Sequence, residues 1–472
     1  MNRRIALYLT ALTILASTQA SAAYSATAHS DGELTIEVVD SATGQPIAAR
    51  MYLYAGRSAG PATAAKRPVK LNMPGSAEFG GHFYIDGKAT LPLRVGPYNF
   101  ELEAGPEYLT QSGQFEIERH ANDAKRIEMK RVTDLAKEGW YGGDLDVRRK
   151  KTDLPLILRA EALHLAPTSE LPPKDAKESK DAPPKFELDG HLIARTPYAW
   201  ELPVWLASGK LDAIELINPH ALRNGVVDNE KDGRPRDKSF FPGPRGNGRW
   251  SETVYYHALN CGLRIPPAAG SGSGFNDSPV GTNRVYVYCG NEFSEAAWWE
   301  GLKAGRVFVT NGPLLRPMVQ GRPPGFTFPI DSSGSLTLEI GLNLATSVPV
   351  EYLQIIKNGR VEAEVRLAEF KNRKGRLPPI HFEDSGWFLV RAVTSNPKTL
   401  QFASSGPYYV EKAGHPRISR ASVSFFIDWL DMTISRLTSG PKPEGAKENP
   451  LLAEHKSAQK FFVNLLSKAN AD

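Results

Sequence analysis

The hydrophobic period of this 472-residue chain changes along its length, and the order of those changes limits what it can fold into. Over residues 31–132 the period is two. Leu34, Ile36 and Val38 alternate with polar residues, and Met51 and Leu53 resume the alternation after the turn signal Thr43-Gly44-Gln45-Pro46. Asp86-Gly87 stands between the strand-like Phe83-Tyr84-Ile85 and Ala89-Thr90-Leu91, the pattern of a two-residue hairpin. Gly96-Pro97 and Gly105-Pro106 punctuate the remainder, so a small β-sandwich is expected here.

From 133 to 325, apolar strand-like pieces alternate with helical ones. Asp153 can cap a helix running to about His164, and Pro203 to Gly209 reads as a helix end. A further helix is expected over 251–262, and Ser294 can cap another that Gly305 stops. Residues 211–217, 265–270 and 307–310 read as buried strands. This is the pattern of a β/α domain with parallel strands. Two inserts interrupt it. Residues 168–190, rich in Pro, Lys, Asp and Glu, predict a solvated loop. Residues 222–249 predict a long loop of the kind that borders a site.

Residues 326–412 return to β character, with Lys357-Asn358-Gly359-Arg360 as a second hairpin signal. Residues 413–472 are helical. Val423, Phe426, Ile427, Leu430, Ile434 and Leu437 recur at helical spacing over 418–437, and a last amphipathic helix is expected over 451–468.

At the N-terminus, Arg3 and Arg4 precede an apolar run from Ile5 to Ala16, followed by Ala20-Ser21-Ala22. That order predicts a signal peptide over 1–22, cleaved near Ala22, and export to the periplasm or beyond the cell. No later stretch approaches 18 consecutive apolar residues, so no transmembrane segment is expected in the mature chain. Loss of Arg3 and Arg4 lowers the formal charge from +5 to +3. With no long basic stripe, this argues against a nucleic-acid partner. Cys261 and Cys289 are the two cysteines. Export permits a disulfide between them, and two buried free thiols fit their apolar settings equally.

Three segments end strands with polar groups. In Gly143-Asp144-Leu145-Asp146-Val147-Arg148, alternation puts Asp144, Asp146 and Arg148 on one face. Two such carboxylates could share a cation or pair internally with Arg148 or Arg149. The second segment runs from Glu215 through Asn218 to His220. The third, Gly270-Ser271-Gly272-Ser273-Gly274, lets the backbone approach something closely but is not a P-loop. His164, His257, Trp298, Trp299 and Trp387 read as packing residues. The run from Arg148 to Lys151 reads as a solvated edge or an anion site.

The runs GWYGGDLDVRR and DLPLILRAEALHLAP resemble the opening of the catalytic domain of PHP-type metallohydrolases, in the CehA/McbA-like branch. The resemblance continues through LASGKLDAIELINPHALRNG, GNGRWSETVYYHALNCGLRIPPAAGSGSG, GTNRVYV and LKAGRVFVTNGP, and covers roughly residues 30–437. It implies a distorted (β/α)7 barrel flanked by N-terminal and C-terminal β-sandwich-like regions. It also implies divalent ions (Mg, Mn or Zn) that activate water for ester or phosphoester hydrolysis. The family's His-x-His pair falls on Asp146 and Arg148. A guanidinium stays protonated and has no lone pair to give a metal. The family's Asp-bearing loop falls on Gly270 to Gly274, which carries no carboxylate. A family histidine has no counterpart at Ala194 and Arg195, and His191 is out of register.

The metal-ligand candidates are therefore Asp144, Asp146, Glu161 and His220, with His164 and His191 behind them. Arg148, Asn218 and His220 are the candidates for binding a small-molecule or anionic ligand. The reading is an exported PHP-like protein with a degenerate metal site, devoted to ligand binding or altered hydrolysis, with a metal or without one. The alternatives are an active divalent-metal hydrolase with rebuilt ligands and a structural envelope protein.

Overall fold

In this computed structural model the described residues are 30–56, 67–69, 78–79, 81–168, 185–188, 190–231, 233–439 and 450–472. The expected signal peptide, and most of the expected loop 168–190, lie outside them; the described end of that loop, Lys185–Leu188, is a strand rather than a loop.

The N-terminal alternation folds as a sandwich. Gly32–Asp40 pairs antiparallel with Lys88–Leu93 and parallel with Asn122–Met129. Opposite it lies a second sheet, in which Ala48–Ala55 runs between His82–Asp86 and Gly96–Glu103, with Gln111–Ile117 beyond. Leu34, Ile36 and Val38 face Met51, Leu53, Phe100 and Leu102 across a shared apolar core. The Asp86-Gly87 hairpin does not form. His82–Asp86 pairs with Ala48–Ala55, and Lys88–Leu93 pairs with Gly32–Asp40. Gly87 (φ +73) instead carries the chain from one sheet to the other, and its carbonyl accepts a bond from Val38 N. Both flanking strands find longer partners than each other, and corner strands of this kind close a sandwich.

The central region is mixed α/β, and its strands divide between two sheets. His191–Ala194, Ala213–Ile217 and Pro267–Ala269 are parallel neighbours, with Lys185–Leu188 antiparallel at the edge. Trp140–Gly143, Arg284–Tyr288 and Val307–Thr310 are antiparallel instead. They continue into Phe402–Ser405, Gly386–Thr394, Val350–Lys357 and Arg360–Arg366, so one sheet spans both sides of residue 325. The expected parallel arrangement is thus confined to three strands of one sheet, and among the described residues no closed barrel is found. Backbone bonds from Leu145 N to Ala269 O (3.2 Å) and from Arg148 N to Ser273 O (2.8 Å) tie the two sheets together at one end.

The helices follow the predicted spacings with two differences. Leu154–Glu161 starts after Asp153 without a side-chain capping bond and ends at Ala162, before His164. Arg245–Asn260 begins six residues before the expected Ser251. Gly246 and Gly248 made that first turn read as loop. They are there for packing, since a Cβ on Gly246 would overlap Phe241 O and one on Gly248 would overlap Leu400. Leu202–Ser208 and Glu295–Lys303 form as expected, with Ser294 Oγ accepting from Ala297 N at 3.1 Å. Arg420–Thr438 and Pro450–Leu466 pack on each other, with Phe426 stacked on Phe462 at 5.1 Å. Among the described residues, no helix is long and apolar enough to cross a membrane. Cys261 and Cys289 are both free thiols.

Candidate functional site

The strand Trp140–Gly143 leads directly into Asp144. Leu145 and Val147 are buried in apolar clusters, which leaves Asp144, Asp146 and Arg148 on the opposite face. The three side chains have different fates.

Asp144 is fully buried and ties loops together. One oxygen accepts from Ser271 N (2.9 Å) and Asp146 N (3.2 Å), the other from Gly281 N (2.7 Å). Burial pushes its carboxyl up to about 7, although the bonds from Ser271, Gly281 and Asp146 pull it down.

Asp146 is held from both sides of its carboxylate by Arg195. Arg195 Nε donates to Oδ2 at 2.6 Å and Nη2 to Oδ1 at 2.8 Å. Both residues are buried. Arg148 Nε lies 3.9 Å from Asp146 Oδ1 and has no hydrogen-bond partner among the described residues. The Arg148 guanidinium sits 5.0 Å from the ring centroid of Phe275, which is 43 % exposed. This cation–π contact at the surface leaves Arg148 as the outermost charge of the cluster.

Glu215 completes the group. It is 0 % exposed, and neither of its carboxyl oxygens has a hydrogen-bond partner among the described residues. Burial, and then the neighbouring Asp146, push its carboxyl well above the usual carboxylate range. The protonated form is thus the one that burial favours, since it spares the cost of a bare buried charge. The glycine loop is shaped around it. A Cβ on Gly270 would overlap Glu215 Oε1 and stand 2.5 Å from Asp146 Cβ. The close approach expected of Gly270–Gly274 is thus, at Gly270, an approach to the Glu215 carboxyl and the Asp146 Cβ, and at Gly274 an approach to the Arg148 backbone.

The remaining candidates are engaged elsewhere. Asn218 Oδ1 accepts from His220 N at 3.0 Å, and Asn218 O accepts from Asn283 Nδ2 at 3.0 Å. The His220 ring bonds through Nδ1 with Tyr198 Oη (2.5 Å) and Asn247 Oδ1 (3.2 Å). Asn247 in turn donates to Glu230 Oε1 at 2.9 Å, so the 222–249 segment lies beside His220. That loop is held by Arg236, which is ion-paired with Asp228 and Glu230. Glu161 turns toward the N-terminal sandwich. It pairs with Arg50, accepts from Tyr84 Oη at 3.2 Å, and lies 3.6 Å from Arg284. Glu161 and His220 are thus bonded into two further networks.

His164 packs edge-on against Tyr141 at 4.9 Å, and burial lowers its pKa. His191 stacks on Trp299 at 4.1 Å. His257 stacks on Phe425 at 4.0 Å and bonds Ser422 Oγ at 3.0 Å, a helix-face role. Arg195 and Phe275 are the site residues that sequence reasoning passed over. The signal for Arg195 was present: it follows the parallel strand His191–Ala194, where strand ends converge. No three His, Cys, Asp or Glu side chains among the described residues converge as a metal-binding group.

No family model matches the chain, and no curated protein matches it. Two solved structures give weak likenesses. One is the TIE protein of Bacillus anthracis, at 19 % identity over 25 % of this chain, with a TM-score of 0.16. This chain spans 19 % of that protein. The other is the N-terminal four Ig domains of Dscam1 isoform 8.4, at 10 % identity over 80 % of this chain and 96 % of that one, with a TM-score of 0.14.

Proposed function

We propose that this chain is an exported, non-hydrolytic descendant of the PHP metallohydrolases, in which guanidinium groups stand where a divalent ion was held and an anionic small molecule is the ligand. In this reading the two sheets joined at Leu145 and Ala269 are the opened remnant of the family's distorted (β/α)7 barrel. The observation that carries it is the two-point grip of Arg195 on Asp146. A carboxylate held this way has its best lone pairs directed at N–H donors. Asp144 is likewise occupied by three backbone donors, and burial disfavours the ionised form of Glu215. The donor set therefore does not fit Mg, Mn or Zn, which require several ionised carboxylates or imidazoles around one point. Arg148, half-buried and with its buried Nε lacking a partner among the described residues, supplies the charge for an anion.

A second reading keeps hydrolysis, with Glu215 as a rebuilt ligand. What favours it is that both Glu215 oxygens lack a partner beside Asp146. Elemental analysis of the purified mature protein, together with calorimetric titration with inorganic phosphate and acetate, separates the two. The proposal expects no stoichiometric metal, and anion binding that Arg148→Ala abolishes. A tightly held metal with chelator-sensitive esterase activity overturns it.

A further inference from the structure

A cavity of about 390 Å³ lies where three parts of the chain meet, apart from the Asp146 cluster. That is within the usual volume of small-molecule sites, which favour such junctions. Its charged residues are matched to one another. Arg50 is paired with Glu103 and Glu161, Arg223 with Glu101 and Glu103, and Arg284 approaches Glu161. Burial works against the Glu103 carboxyl, yet the guanidiniums of Arg50 and Arg223 hold it down at about 2. Three guanidiniums and two carboxylates line the cavity, and Glu101 just outside it answers Arg223, so a charged ligand would find no unanswered countercharge.

Among the neutral polar side chains Thr282, Thr310, Asn311 and Asn396 are bonded to the protein, and four others are in the opposite condition. Thr110 comes from the sandwich, Asn224 from the turn between Ala221–Leu222 and Gly225–Val226, and Ser347 and Gln401 from the C-terminal β region. None of these four side chains makes a hydrogen bond to the protein among the described residues. Amides and hydroxyls both donate and accept. The half-buried ring of Tyr108 adds an apolar wall, fixed by a bond from its hydroxyl to Asp40 Oδ2 at 2.9 Å.

We infer that this cleft binds a neutral polyhydroxylated molecule, one or two sugar rings in size. Adjacent hydroxyls of a sugar would meet amides and hydroxyls from three regions at once, and its binding would clamp those regions together. This site is independent of the anion site proposed at Arg148.

The test is calorimetric titration of the full mature chain with maltose, cellobiose and N,N′-diacetylchitobiose as neutral probes, and glucuronate and inorganic phosphate as charged ones. At least one neutral disaccharide is expected to bind. Gln401→Leu and Asn224→Leu are each expected to weaken it about fivefold to tenfold, the loss of one or two uncharged hydrogen bonds. Both positions are at the rim, and unchanged thermal unfolding confirms that the variants fold. Arg148→Ala is expected to leave disaccharide binding intact. The inference is overturned if no neutral probe binds, if both rim variants bind like the parent, or if the charged probes occupy the cleft instead.

Discussion

Arg195 Nε and Nη2 reach the two oxygens of Asp146 at 2.6 and 2.8 Å, and both side chains are buried. Removing one partner of a buried pair leaves the other charge unanswered, at a cost of about 3–5 kcal/mol. Arg195→Ala is therefore expected to lower the urea midpoint sharply. The double variant Arg195→Ala/Asp146→Ala is expected to be more stable than Arg195→Ala alone. Equal midpoints for the single and double variants would mean that the pair contributes nothing.

Glu215 gives a pH dependence of defined sign. Its folded pKa is raised by burial and by Asp146, while the unfolded carboxyl titrates at its ordinary value near 4.5. Above that value the unfolded chain releases a proton that the folded chain keeps, so this group's contribution to stability falls as pH rises. Glu215→Gln keeps the shape and removes the titration. The stability of Glu215→Gln relative to the parent is expected to increase from pH 4.5 upward in urea unfolding. Parallel pH profiles for the two proteins contradict the assignment.

Gly270 lies against the Glu215 carboxyl and the Asp146 Cβ, and a methyl there has no room. Gly270→Ala is expected to destabilise by about 1–3 kcal/mol, the usual range for overpacking. Shortening the neighbour in Gly270→Ala/Glu215→Ala is expected to recover part of the loss, because the overlap with Oε1 disappears. Thermal unfolding of the three proteins measures this directly, and the absence of any recovery would place the strain elsewhere.

The two thiols provide a chemical check on the fold. Cys261 is buried and Cys289 half-buried, and burial raises both thiol pKa values, Cys289 to about 11. Thiolates are the reactive form, so both should react slowly with a thiol reagent while the protein is folded. Denaturation without reductant is expected to release two thiols per chain. Zero thiols on denaturation would reveal a disulfide incompatible with this arrangement.

The period of two at Leu34, Ile36 and Val38 was readable because alternation is a local consequence of which face meets a core. The cap at Ser294 and the Asn358-Gly359 reversal form from equally local contacts, all within three residues. Asp86-Gly87 shows where local logic stops. The dipeptide specifies a bend, but which strand lies alongside is decided by Ala48–Ala55 and Gly32–Asp40, remote in sequence from one of its flanks.

The site divides in the same way. Sequence alone put Asp144, Asp146 and Arg148 on one face, since that follows from strand geometry. It could not show that Arg195, 49 residues from Asp146, takes both oxygens of that carboxylate, nor that Glu161 turns away to Arg50, 111 residues off. Such pairings are selected by desolvation: once the chain excludes water, each buried charge goes to whichever counterpart the packing brings within reach. Spacing along the chain carries the local half of that information, and three-dimensional proximity supplies the rest.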